Sequence, residues 1–180
     1  KGDATAAYSD DKVDLFTREI VYLKPDVFVV LDRVRATSRS FTKKWLLHSI
    51  NEPEIDGQAA VVTDGASRLF VTSLLPEGAT VGKVGGPGHE FDVNGTNYMP
   101  AQGWSEDMGA WRVEVTAPTD AEEHVFLTVL CVRGADATAP PAVRLIEGDL
   151  MVGVQVDGQV VMFSATGAAV ESASYEFEGQ

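Results

Sequence analysis

The residues best equipped for chemistry lie between Asp32 and His48. Asp32 interrupts a strongly apolar run and is followed by Arg33 and Arg35; Lys43, Lys44, Trp45 and His48 come next. A basic, aromatic segment of this kind can focus an anionic ligand and offer a ring for it to stack on. Further along, Tyr98 and Trp104 stand in Thr96–Met108, a stretch with Pro100 and Gly103 that reads as the longest irregular connection. Long loops on a rigid scaffold often carry function. Lys43, Lys44, His48, Tyr98 and Trp104 are therefore the candidate ligand-contacting residues.

Each has a structural reading beside it. His48 follows Trp45-Leu46-Leu47 and reads first as a packed or hydrogen-bonded strand residue. Arg33, Arg35, Lys43 and Lys44 form an anion-binding strip if their two strands are adjacent and the side chains face outward; otherwise they neutralise acids or dock another domain. Alternation puts Asp32 on one face with Phe28, Val30 and Val34. A carboxylate there needs a partner, and Arg112 or a lysine of segment 41–49 is the expected one. Trp45 and Trp111 could stack on sugars, although strand aromatics commonly pack in the core, as Tyr22 is expected to.

Other chemistries find no support. His48, His89 and His124 are far apart and lack metal-ligand spacing, so no metal site and no cofactor is expected. The sequence has no phosphate loop, nucleotide fingerprint, G-x-S-x-G elbow or EF-hand. Gly85-Gly86-Pro87-Gly88 reads as a turn between strands. Cys131, the only cysteine, lies in the apolar run Phe126–Val132 and reads as a buried thiol. No catalytic residue is assigned.

The elements that must position these residues are strands. Apolar positions come in runs of about four to eight, separated by Gly, Pro, Asp and Asn, with almost no helical period. Predicted strands cover 13–22, 26–35, 41–49, 59–63, 67–74, 79–84, 89–93, 110–116, 124–132, 142–146, 150–156, 159–164 and 170–177. Val27–Leu31, apolar throughout, reads as a strand covered on both faces. Asp56-Gly57, Asp64-Gly65, Asn94-Gly95 and Asp157-Gly158 predict tight type I′ hairpins. Asn94-Gly95-Thr96 also matches a glycosylation acceptor, but the tight hairpin explains that triplet better. Glu52-Pro53-Glu54 and Ala139-Pro140-Pro141 read as loops. The pattern predicts an all-β, two-sheet antiparallel β-sandwich of about a dozen strands, one domain over residues 1–180.

Charge narrows the partners. The chain of 180 residues carries a net charge of −13, which argues against nucleic acid. Residues 1–50 hold nine of the fourteen Lys and Arg but only seven of the twenty-seven acids, so the basic part is local. No apolar run reaches the roughly 18 residues of a spanning helix, and no membrane partner is expected. The chain opens at Lys1 without a methionine or a visible signal peptide, and is read as a processed chain or part of a longer one.

Several motifs resemble one family. Leu23-Lys24-Pro25-Asp26, Phe28-Val29-Val30, Asp32-Arg33-Val34, Lys43 through Ser49 and Asn51 through Gly57 are similar to the C-terminal β-sandwich domain of heparinase II/III-like polysaccharide lyases. Leu74-Leu75-Pro76, Gly85 through Phe91 and Gly109 through Val115 extend the resemblance to roughly Asp3–Phe163. It implies the C-terminal part of a larger bacterial lyase, periplasmic or extracellular. That lyase would cleave uronic-acid glycans by β-elimination, with its helical toroid and catalytic residues upstream. It also implies a zinc in the upstream part, whose ligands do not map onto these three histidines. The reaction needs a base, an acid and a group that neutralises the uronate carboxylate. No complete set is identifiable here, so the expected partners are the upstream catalytic domain and an anionic polysaccharide. The competing reading is a non-catalytic carbohydrate-binding or structural module; a self-sufficient enzyme is a third.

Overall fold

The computed structural model describes residues 1–101, 103, 105, 108–118 and 121–168. Among them there is no α-helix, a 3₁₀ turn covers Thr5–Ala7, and every strand pairing is antiparallel. The chain divides into two units, Lys1–Pro140 and Pro141–Gln180, at the proline-rich loop read from the sequence.

The first unit contains β1 (Gly2–Asp3), β2 (Val13–Leu23), β3 (Val27–Ala36), β4 (Lys44–Ser49), β5 (Glu54–Asp56), β6 (Ala59–Asp64), β7 (Ser67–Leu75), β8 (Thr80–Gly85), β9 (Asp92–Val93), β10 (Thr96–Asn97), β11 (Trp111–Thr116) and β12 (Glu123–Gly134). Seven of these form a large sheet in the order β1-β2-β3-β12-β7-β6-β5. Three form a small sheet in the order β4-β11-β8, and β9 pairs with β10. The core lies between the two sheets. Ala60, Val71 and Phe126 of the large sheet and Trp45, Val113 and Val115 of the small one share a cluster, with Val34, Leu47, Leu69 and Val81 packed against it. This is the expected two-sheet sandwich, and alternation explains it: one residue in two along each strand points into this layer. Val27, Val29, Val30 and Leu31 are buried, so β3 is covered on both faces over most of this run, whereas Phe28 is exposed.

The second unit contains β13 (Val143–Glu147), β14 (Met151–Val156) and β15 (Gln159–Ser164), a three-stranded meander. The strand expected at 170–177 lies outside the described residues.

The four Asx-Gly signals all mark hairpins, by two mechanisms. Asn94-Gly95 and Asp157-Gly158 are the loops themselves, with φ of 53° and 81°, and of 47° and 74°. Both central residues are left-handed, as a type I′ turn requires. At the other two, Asp56 and Asp64 remain in the strand, and the loops are Gly57-Gln58 and Gly65-Ala66. There only the glycine has positive φ. Glu52-Pro53-Glu54 ends in β5 rather than continuing as loop, because Glu54–Asp56 pairs with Ala59–Val61.

The small sheet is narrower than the large one, and this decides the fate of Tyr22. Ile20, Tyr22 and Phe28 lie on the same face of the large sheet as Asp32 and Val34, yet all three are exposed. Tyr22 is thus not core. Its ring stacks on Phe28 at 4.5 Å, and its hydroxyl donates to the Pro25 carbonyl.

Candidate functional site

A groove of about 1180 Å³ opens around β4, the edge strand of the small sheet. Alternation along β4 gives it two sides. Trp45 and Leu47 point into the core, whereas Lys44, Leu46 and His48 point outward. On β11, Arg112 and Glu114 stand opposite His48 and Leu46 and share that outward face. The β9–β10 hairpin borders the outer side, held there because Arg112 donates to the Asp92 carbonyl.

The outer side is a charge network centred on Glu114. Lys44 Nζ donates to its Oε2 at 2.7 Å, and Arg112 Nε to its Oε1 at 2.7 Å. Burial alone would raise the Glu114 pKa, but the bonds from Lys44 and Arg112 outweigh it and hold the carboxyl below its ordinary value. Asp92 is also held low, chiefly by His89, whose Nδ1 lies 3.2 Å away, and further by the Gly95 N–H. Glu90 is held low by its own backbone N–H, with help from Gly88 and Asn97. The carboxylates here are thus stabilised in their charged form. Tyr98 is 65% exposed, at the end of the hairpin.

The inner side holds a second ion pair. Asp32, 2% exposed, accepts two bonds from Arg18, from Nε at 2.7 Å and from Nη2 at 2.6 Å. The buried acid is paired, as expected, but its partner is neither Arg112 nor a lysine of 41–49. Arg18 is the residue directly across from it on β2. Arg112 is committed to Glu114.

The proposed basic strip does not exist as a strip. Arg33 and Arg35 stand on the large sheet and Lys44 on the small one, because the chain changes sheets between β3 and β4. Arg33 is buried and donates to Glu19 at 2.5 Å. Arg35 lies 3.6 Å from Glu123 and 3.9 Å from Asp14. Lys43 is also buried, its ammonium donating to the carbonyls of Phe41 at 3.1 Å and Ala121 at 2.9 Å. Trp45 belongs to the core and offers no ring to a ligand.

Even so, Lys43, Lys44, His48 and Tyr98 all line the one groove; Trp104 lies outside the described residues. His48 is exposed there rather than packed. The groove also gathers Arg18, Arg112, Glu90 and Glu114, which the sequence reading did not assign to a site. Only the spacing of Arg112 and Glu114, two apart on a strand, signalled a shared face. The lining includes five cations (Lys12, Arg18, Lys43, Lys44, Arg112) and three carboxylates (Asp32, Glu90, Glu114). It is therefore locally positive on a strongly acidic chain. Among the described residues, no three of His, Cys, Asp and Glu are grouped to hold a metal.

No family model matches the chain, and no curated protein sequence does. Solved structures do. A heparinase III gene product aligns over 83% of this chain with a TM-score of 0.57 and 16% identity. Heparan sulfate lyase HepC from Pedobacter heparinus aligns over 85% with a TM-score of 0.56 and 15% identity. The chain shares its fold with part of these lyases. The aligned region is only 23% and 24% of their respective lengths, so this chain spans about a quarter of the structures it matches. The resemblance read from the sequence motifs is thus borne out at the level of the fold.

Proposed function

We propose that this chain is the C-terminal sandwich part of a larger heparinase II/III-like polysaccharide lyase, exported to the periplasm or beyond. In this reading the whole protein cleaves a uronic-acid glycan by β-elimination, and its catalytic groups lie upstream. The sandwich supports that catalytic part and lends the outer side of the β4 groove to the anionic glycan. The observation that carries the reading is the positive groove on a chain of net charge −13. Field focusing of this kind raises the local concentration of an anionic polymer. Lys44 is the central contact, flanked by His48 and Tyr98. Arg112 anchors Glu114 behind it, and Lys43 shapes the rim.

The contact is weak by construction. Lys44 is already shared with Glu114, so each sulfate or carboxylate competes with an existing partner, and exposed pairs contribute about 0.2–1 kcal/mol each. The chain should be retained on immobilised heparin at low salt and released well below ~0.2 M salt, where the Debye length falls under ~8 Å. Lys44→Glu should abolish retention while keeping the melting temperature within a few degrees. Wild-type chain that flows through at low salt, or Lys44→Glu that is retained equally, would show that the groove is not a glycan contact. The isolated chain should form no unsaturated product from heparin or heparan sulfate, followed by absorbance of the new double bond. Turnover lost in His48→Ala or Tyr98→Phe would locate an active site here and overturn the supporting role.

A further inference from the structure

The free edge of β4 carries an inference about what completes this sandwich. In the antiparallel pair of β4 with β11, residues alternate between bonding their partner and facing away. Lys43 accepts from the Ala117 N–H at 3.0 Å, which fixes the phase. Trp45, Leu47 and Ser49 therefore bond inward to β11, and the N–H and C=O groups of Lys44, Leu46 and His48 point off the edge. A row of main-chain donors and acceptors with no partner among the described residues is a template for another strand.

A second observation concerns the opposite sheet. Beyond β3, the large sheet continues into β2 and β1, whereas among the described residues the small sheet ends at β4. Its core-facing row there includes Ile20 and Tyr22 on β2 and Phe28 on β3, which are 55%, 46% and 37% exposed. Stacked sheets lie about 10 Å apart and neighbouring strands about 4.8 Å, so a strand added to β4 would run above this apolar row. It would also close the inner side of the groove over Arg18 and Asp32 and leave the outer face with Lys44 and His48 open.

We infer that the edge of β4 pairs with an extended strand of the same polypeptide from outside residues 1–180. This rests on the reading that the chain is part of a larger lyase, and on the quarter of the matched structures that it spans. A second copy fits the edge poorly. Two chains that each carry a net charge of −13 repel one another.

Residue-resolved hydrogen exchange on the chain of residues 1–180 and on the longer gene product tests this. In the short chain, the Lys44, Leu46 and His48 amides should exchange rapidly while those of Trp45 and Leu47 are protected. In the longer protein the first three should slow by about a hundredfold or more, the range that separates open from paired strand amides. Leu46→Pro removes one outward N–H, a change that an edge tolerates. It should leave the melting temperature of the short chain within a few degrees and lower that of the longer protein by clearly more. A longer lyase in which the three amides still exchange rapidly overturns the inference and leaves the functional reading standing. A gene that encodes nothing beyond residues 1–180 overturns both. Protection in the short chain that rises with its concentration overturns it in favour of self-pairing.

Discussion

The two sides of β4 hold the same ingredients, arginine and carboxylate, under different conditions. On the inner side Asp32 is sealed, with two bonds from Arg18. On the outer side Glu114 is shared between Arg112 and a half-exposed Lys44. The first arrangement stabilises the fold and has nothing left to offer a ligand. The second sits at the mouth of the groove, and one of its cations can turn toward solvent at modest cost. Burial, more than residue type, divides structural charge from charge that can serve a ligand.

The largest expected effect breaks the inner pair. Arg18→Ala strands Asp32 among apolar neighbours and should cost about 2–3 kcal/mol. The figure lies below that for a fully buried pair because Arg18 itself is 43% exposed. Denaturant unfolding would measure it; a loss below ~0.5 kcal/mol would mean that water reaches Asp32 and that the two sides are alike.

Removing charge at the centre of the outer network should cost less. Glu114→Gln leaves Lys44 and Arg112 without their carboxylate and should cost about 1–2 kcal/mol at pH 7. It should also change the pH dependence. Because the folded Glu114 titrates below its unfolded value, its contribution is present above ~4.3 and is lost as pH falls through the folded value. The stabilities of wild type and Glu114→Gln should therefore converge in acid. A gap that stays constant from pH 7 to pH 3 would mean that Glu114 acts through packing rather than charge.

The smallest effect is at the rim. Lys44→Ala should change stability by no more than ~1 kcal/mol, since the pair is partly exposed. A loss as large as that of Arg18→Ala would erase the distinction between the two sides.

Much of the fold is legible from residue pattern. Short apolar runs and alternations bounded by turn residues set β2, β3, β7, β11, β12 and the β14–β15 hairpin within a few residues, because such patterns are local. Asp32 declares its need for a partner by sitting in an apolar run. Which arginine answers depends on cross-strand register, and the pattern does not contain that. The basic strip fails for a related reason: proximity in sequence between Arg35 and Lys43 hides a change of sheet. Tyr22 is exposed because the opposite sheet is narrow, a fact about strand count and not about Tyr22. The Glu114 network needs three elements, β4, β11 and the β9–β10 hairpin, to meet.

The position of β3 in the large sheet has a consequence for biosynthesis. β3 pairs with β12, joining Leu31 to Leu127 about a hundred residues downstream. At ordinary translation rates, β12 emerges on the order of 5–20 s after β3. Throughout that interval Val27–Leu31, rich in β-branched residues and uncharged, has only β2 beside it and one side open. Such a window is prone to joining the wrong neighbour. The acids and basic residues close by, Asp26 before it and Asp32 and Arg33 after it, are placed where gatekeeping charges discourage that association. A polar border that looks like ligand chemistry in the finished protein thus also protects the nascent one.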